Sequence, residues 1–165
     1  MTYLLKEGLP YIMWKLFEAN QNPLELRECW VCKDARNFIQ SIITKDFEVF
    51  EFGGGGSTLY FSDNCKSVET IENNLEWIEK INSKLINSNQ KFVKEIPNKL
   101  YDLILIDDGN RLQNFELAKT HLKPNGIIIF DNIDRYEVKE KPKIVFKGYS
   151  KGNSGITHTG VFQYA

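Results

Sequence analysis

The sequence predicts an α/β domain in three layers, with a mostly parallel sheet, helices on both faces and a C-terminal antiparallel hairpin. Three observations lead there. Apolar β-rich runs alternate with helical segments between residues 34 and 130, the order that builds a parallel sheet. Acidic or amide residues follow four of those runs, at Glu51, Glu72, Asp107-Asp108 and Asp131-Asn132. That places polar groups beyond the carboxyl ends of strands, where such sheets bind ligands. The first run then breaks into Gly53-Gly54-Gly55-Gly56, and glycine weakens strands and helices alike unless bare backbone is needed.

The 165 residues, 42% hydrophobic and 26% charged, suit one domain over residues 1–165, with 1–45 as a helical preface. Tyr11, Trp14, Leu16 and Phe17 recur at helical spacing, as do Ala35, Phe38, Ile39, Ile42 and Ile43, so two helices are expected with Pro23 between them. Tyr11 and Trp14 read as helix-packing aromatics. Asp34 is a natural helix start, and Glu48 to Phe52 is the first strand. Ser57 to Ser62 reads as a helix. Ser67 to Ile71 is a β-branched strand whose Glu69 is expected in solvent. Asn73 to Leu85 is a helix, acidic early and lysine-bearing late as its dipole prefers. Lys91 to Lys94 is a short third strand. Tyr101 to Asp107 is a continuous apolar run suited to a central parallel strand. Arg111 to His121 is a helix, Lys123-Pro124-Asn125-Gly126 a turn, and Ile127 to Phe130 a fifth buried strand. Residues 143–149 and 160–164 form the closing hairpin around Gly152 to Gly155.

Net charge −1 gives no overall electrostatic drive toward nucleic acid or anionic lipid. No apolar stretch approaches the roughly 20 residues that span a bilayer, and the N-terminus lacks a signal-peptide order. A cytoplasmic protein is expected, with no nucleic-acid or membrane partner. Cys29, Cys32 and Cys65 make an odd set. Cys29 and Cys32 have C-x-x-C spacing, but no second pair completes a zinc tetrad. Reduced, idle thiols are expected.

The glycine run is neither a Walker loop nor a dinucleotide fingerprint. Ser57 follows Gly56 directly, so no lysine is placed for terminal phosphates, and Thr58 breaks the G-x-G-x-x-G register begun at Gly53. Glu51 in front would repel a pyrophosphate. A ligand carrying an ammonium or a sugar suits the site better.

Glu51-Phe52-Gly53-Gly54-Gly55-Gly56-Ser57 resembles the first motif of the class I S-adenosylmethionine-dependent methyltransferases, an acid-ended strand followed by G-x-G-x-G. Ser57 stands at its third glycine. Val68-Glu69-Thr70-Ile71-Glu72 resembles the second strand, Tyr101 to Asp107 the fourth, and Leu122-Lys123-Pro124-Asn125-Gly126 the L-K-P-G-G turn. The resemblance covers residues 30–133 and implies a Rossmann-like methyltransferase fold with S-adenosyl-L-methionine as cofactor. It places the cofactor's methionine half along Gly53, Gly54 and Gly55, with Glu51 and Ser57 beside it. The ribose hydroxyls fall to Glu72, with Asn73 adjacent. A bland role for Glu72, as an acid favouring the dipole of the next helix, is compatible with this.

Asp107, at the end of strand four, is the candidate general base or substrate-orienting residue and a cofactor neighbour; Asp108 reads as a turn cap. Asp107, Asp131 and Asn132 resemble the metal set of catechol and caffeoyl-coenzyme A O-methyltransferases, which would suit magnesium or calcium. The accompanying lysine is Asn110 here, so no metal is expected. Arg111, Arg135, Tyr136 and His158 are candidates for an acceptor pocket. The resemblance implies a methyltransferase; its acceptor is not identified by the sequence, and a small molecule or sugar hydroxyl is expected. The other reading is a binding module that keeps the nucleoside ligand without turnover.

Overall fold

The computed structural model describes residues 11–17, 20–151 and 156–164; residues 1–10 of the expected preface and 152–155 of the hairpin turn lie outside them. Helix α1 covers 11–17, followed by α2 (Pro23–Leu26) and α3 (Lys33–Ile42). Then come β1 (Glu48–Phe52), α4 (Gly56–Asn64), β2 (Ser67–Ile71), α5 (Leu75–Asn82), β3 (Gln90–Phe92) and β4 (Tyr101–Ile106). The chain ends through α6 (Arg111–Lys119), β5 (Leu122–Asp131), a 3-10 turn (Ile133–Arg135), β6 (Ile144–Tyr149) and β7 (Ile156–Gln163). The strands form one seven-stranded sheet in the order β3-β2-β1-β4-β5-β7-β6. All pairings among β1 to β5 are parallel, and β7 runs antiparallel to both β5 and β6. Among the described residues no helix is long and apolar enough to cross a membrane.

Alternation along the strands explains the continuous apolar runs, since both faces are covered and both sides of each strand need apolar groups. Val49, Val68, Leu103, Leu105, Ile129 and Val161 pack with Ala35 and Ile39 of α3 and Phe61 of α4. Phe50, Phe52, Ile104, Ile106, Ile128, Phe130 and Phe162 pack with Phe115 and Ala118 of α6. A smaller cluster joins Leu24, Leu59 and Ile81, bringing α2, α4 and α5 together. Trp14 anchors α1: it is buried, stacks on Tyr149 at 5.2 Å, and donates Nε1–H to the Ser150 carbonyl at 2.8 Å.

Five expectations change. Pro23 does not merely separate two helices. It opens the short α2, where its missing N–H costs nothing and the Asn22 side chain accepts from Leu24 N at 3.0 Å. The helix expected from Asn73 begins at Leu75, because Asn74 takes the N-cap and accepts from Trp77 N at 3.1 Å. Lys123 to Gly126 is no free turn but a bulge inside β5. Tyr101 pairs with Leu122 and Leu103 with Ile127, so four residues loop out of register. Asn125 takes a left-handed φ of 63° there, and Lys123 Nζ reaches Glu48 at 2.9 Å and Asp102 at 2.8 Å. Glu69 is not solvated: it pairs with Lys99 at 2.6 Å and accepts from Tyr101 Oη at 3.0 Å. The hairpin partner β7 also starts earlier than expected, at Ile156.

Candidate active site

The carboxyl ends of β1, β2 and β4 are laced together before any side chain acts. Gly53 N donates to the Ile71 carbonyl at 2.9 Å, and Asp107 N donates to the Phe52 carbonyl at 2.9 Å. The glycines that follow serve different ends. Gly53 has φ +93°, and a Cβ there would sit 2.6 Å from the Asp107 carbonyl oxygen. A Cβ on Gly54 would sit 3.2 Å from both Ile81 and Thr70 side chains, whereas one on Gly55 would meet no atom of the described residues within 4 Å. Gly56 is pressed against the backbone of Pro23 and Glu28, its Cβ position 2.6 Å from the Pro23 carbonyl. Gly53 and Gly56 thus answer close backbone packing, Gly54 sits tightly against side chains, and Gly55 leaves bare backbone toward a ligand.

Side chains hold that turn in place. Glu72, half-buried at the end of β2, accepts from Gly54 N at 3.1 Å through Oε2 and from Asn73 N and Asn74 N at 2.8 Å through Oε1. The ribose-binding candidate is therefore also a loop clamp, and its two oxygens retain further acceptor capacity. Trp77 donates Nε1–H to the Gly54 carbonyl at 2.7 Å. Thr58 Oγ1 accepts from Gly55 N at 3.0 Å. Neither residue was legible as a loop contact: the sequence shows only an aromatic and a hydroxyl in helices.

Beneath the turn Glu51 is fully buried and accepts from Thr70 Oγ1 at 3.0 Å, while its Oε1, near the Ser57 and Thr58 hydroxyls, makes no hydrogen bond of good geometry among the described residues. Burial pushes this carboxyl up to about 7, against the pull of the Ser57, Thr58 and Thr70 hydroxyls. The folded state then holds a proton that the unfolded chain releases near 4.5. This group's contribution is present below the lower value and is lost as pH rises to about 7. From about pH 5 to about pH 8 the loss is at most about 3 kcal/mol. Urea unfolding of the wild type and Glu51→Gln at those two pH values measures it: the wild type should show the steeper fall, and equal falls would mean that Glu51 is already ionised.

A cavity of about 440 Å³ opens at the same edge, with Phe52, Ile71, Ile96 and Leu117 as apolar walls and Asn73, Glu95 and Asp108 among its polar groups. Next in the chain after Asn110, which lines this cavity, comes Arg111, the first residue of α6. Its Nε donates to the Asp131 carbonyl at 3.0 Å, Nη1 to the Asp108 carbonyl and to Tyr136 Oη at 3.4 Å, and Nη2 to Asp107 Oδ1 and to Asn132 Oδ1 at 3.3 Å. The guanidinium also lies 5.6 Å from the Tyr136 ring centroid. Asp131 turns its carboxylate away, accepting from Thr159 Oγ1 at 2.8 Å. Asp107 and Asp131 are both held above the ordinary carboxylate range, chiefly by removal from water, with Asp131 adding to the rise at Asp107 and Arg111 opposing it.

The structure brings Glu51, the glycines, Ser57, Glu72, Asn73 and Asp107 to one edge, as their strand ends require. The three residues considered as metal ligands, Asp107, Asp131 and Asn132, do not share an open cation position: Arg111 stands between them. Asp108, before the Asn110 N-cap of α6, accepts from the side-chain Nδ2 of Asn114 at 2.7 Å. His158 Nδ1 lies 3.4 Å from Asp134 Oδ1. Cys29, Cys32 and Cys65 are buried and unpaired, and burial pushes all three thiols up, opposite to what a metal or redox thiolate needs.

No protein-family model and no curated protein matches the chain. Solved structures do. A putative O-methyltransferase from Klebsiella pneumoniae superposes over 100% of both chains with a TM-score of 0.64 and 15% identity. An rRNA methylase from Streptococcus thermophilus matches 80% of this chain and 95% of its own, with a TM-score of 0.64 and 11% identity. A putative methyltransferase from Streptococcus mutans, solved in complex with SAH, matches 87% of this chain and 98% of its own, with a TM-score of 0.60 and 12% identity. The fold is the Rossmann-like fold of class I S-adenosylmethionine-dependent methyltransferases, as the four motifs imply. At these identities the likeness establishes the fold and leaves the reaction to the site.

Proposed function

We propose that this protein is an S-adenosylmethionine-dependent methyltransferase that methylates a hydroxyl of a small molecule or sugar. The observation that carries the reading is the bare Gly55 between the buried Glu51 below and the Glu72 carboxylate beside it. An unpartnered buried carboxylate oxygen under a glycine turn favours a cationic ligand, and a strand-end acid beside it suits vicinal hydroxyls. The residues therefore fit the cofactor. Gly53, Gly54, Gly55 and Ser57 would take its methionine half, and Glu72, with Asn73 adjacent, its ribose. The cavity walls Ile71 and Ile96 would flank its flat base.

Bound there, the sulfonium supplies an activated methyl group for in-line displacement. The acceptor oxygen would form its O–C bond to that methyl as the methyl–sulfur bond breaks with its electron pair left on sulfur, and the acceptor's O–H proton would pass to Asp107. Because Arg111 holds Oδ1, Oδ2 is the atom that receives it. A carboxyl held above its ordinary range is better matched to that task near neutral pH than an unperturbed aspartate. Net charge −1 favours a small acceptor over a polyanion, which is bound mainly by neutralising its phosphates.

Calorimetry with S-adenosylmethionine tests the cofactor assignment. Binding is expected, and Glu72→Ala should weaken it roughly ten- to hundredfold, as loss of hydrogen bonds to a charged acceptor predicts. Absence of wild-type binding at about 1 mM ligand, near −4 kcal/mol, would sink the assignment. Methyl-labelled cofactor incubated with small-molecule extracts then tests the reaction. Binding without transfer to any fraction would leave a ligand-binding module.

A further inference from the structure

We infer that Arg111 is the resident cation of this site, so that the carboxyl ends of β4 and β5 draw their positive charge from the chain and offer a divalent ion no place among Asp107, Asp131 and Asn132. Oxygens from four successive anchor points converge on one guanidinium: Asp107 Oδ1, the Asp108 carbonyl, the Asp131 carbonyl and Asn132 Oδ1. Two carboxylates, an amide oxygen and two carbonyls are the donor types that magnesium and calcium take. Here Asp107 Oδ1, Asn132 Oδ1 and the Asp108 and Asp131 carbonyls each already receive an N–H from Arg111, which leaves Asp107 Oδ2 as that residue's free oxygen. The Asp131 carboxylate, the remaining candidate ligand, accepts through Oδ1 from Thr159 on β7.

The location of the cation supports this independently. Arg111 is the first residue of α6, where the helix dipole opposes a positive charge and favours an acid. An arginine held there at 12% side-chain exposure answers to the surrounding carboxylates and carbonyls rather than to the helix. Its planar fork suits the task, since five N–H groups spread over three nitrogens reach oxygens on both strand ends, whereas lysine's three N–H groups radiate from one atom. Arg111 is thus a positioning residue. It ties the β4 end to the β5 end and fixes Asp107 by one oxygen.

Removing the guanidinium while keeping the stem should convert the nest into a divalent-ion site. Titration with Mn²⁺ alone, followed by electron paramagnetic resonance, reads this on the full chain without any substrate. The wild type and Arg111→Lys should show no site-bound Mn²⁺ at about 1 mM, whereas Arg111→Met should bind one ion at least about tenfold more tightly than the wild type. Adding Asp107→Asn to Arg111→Met should abolish that binding. The inference fails if the wild type binds Mn²⁺ in a way that Asp107→Asn removes, or if folded Arg111→Met binds none. The wild-type arm stands by itself even where Arg111→Met does not fold: Mn²⁺ that broadens the Asp107 and Asn132 amide resonances of the wild type overturns the inference. This readout does not use methyl transfer, so its failure leaves the proposed function untouched.

Discussion

Asp107→Asn is expected to lower the methyl-transfer rate about 10²–10⁴-fold, the usual contribution of a positioned general base. The test is made at saturating cofactor, with the acceptor that labelled-methyl screening delivers. The substitution is nearly isosteric and keeps an oxygen for Arg111 Nη2, so the clamp between β4 and β5 survives. What it removes is the ability to take a proton. Cofactor affinity, carried by the glycine turn and Glu72, should change by no more than about threefold, less than 1 kcal/mol. The pH profile gives a second reading. The wild-type rate should fall as pH drops through the Asp107 titration, which burial and the neighbouring Asp131 raise above the ordinary carboxylate range. In the variant that limb should vanish. A variant rate within about twofold of wild type would reduce Asp107 to an orienting or structural group.

Gly53→Ala and Gly55→Ala should separate the two uses of the glycine run. At Gly53 the φ of +93° is strained for alanine, and the added methyl would meet the Asp107 carbonyl at 2.6 Å. That contact is backbone against backbone at the end of a central strand, so no flexible side chain can absorb it. A loss of about 2–4 kcal/mol is expected from the combined strain and overpacking, with cofactor binding reduced at the same time. At Gly55 the φ of 176° is ordinary extended backbone and the Cβ direction is empty. Stability should therefore stay within about 0.5 kcal/mol, while cofactor affinity drops about tenfold or more because the methyl enters the ligand's space. Urea unfolding and calorimetry on both variants measure this. Unchanged affinity in Gly55→Ala would place the ligand elsewhere.

The glycine run itself illustrates what one dimension conveys. Four glycines after an acid-ended strand signal close backbone approach, yet they look alike in sequence. Their partners distinguish them: Asp107 lies 54 residues from Gly53 in the chain, and Pro23 and Glu28 precede Gly56 by about 30. The Lys123 to Gly126 segment carries every local mark of a turn. It becomes a bulge because β4 pairs with β5 on both sides of it and Lys123 is drawn to Glu48 and Asp102. Glu69 alternates outward from the β2 core like a solvated residue, but Lys99 before β4 and Tyr101 within it reach across β1 to pair with it.

The sequence by itself determined the strand-helix order, the parallel sheet and the acid at each strand end, because these follow from short-range periodicity and from where apolar runs stop. It also determined which strand ends carry the candidate cofactor contacts. Tertiary structure alone decided that Trp77 holds the Gly54 carbonyl, that Glu51 loses its water, and that Arg111 stands between Asp107 and Asn132. The reason is physical. Burial, hydrogen-bond partnership and the local field are sums over groups far apart in the chain, and they come into being only when the strand ends meet.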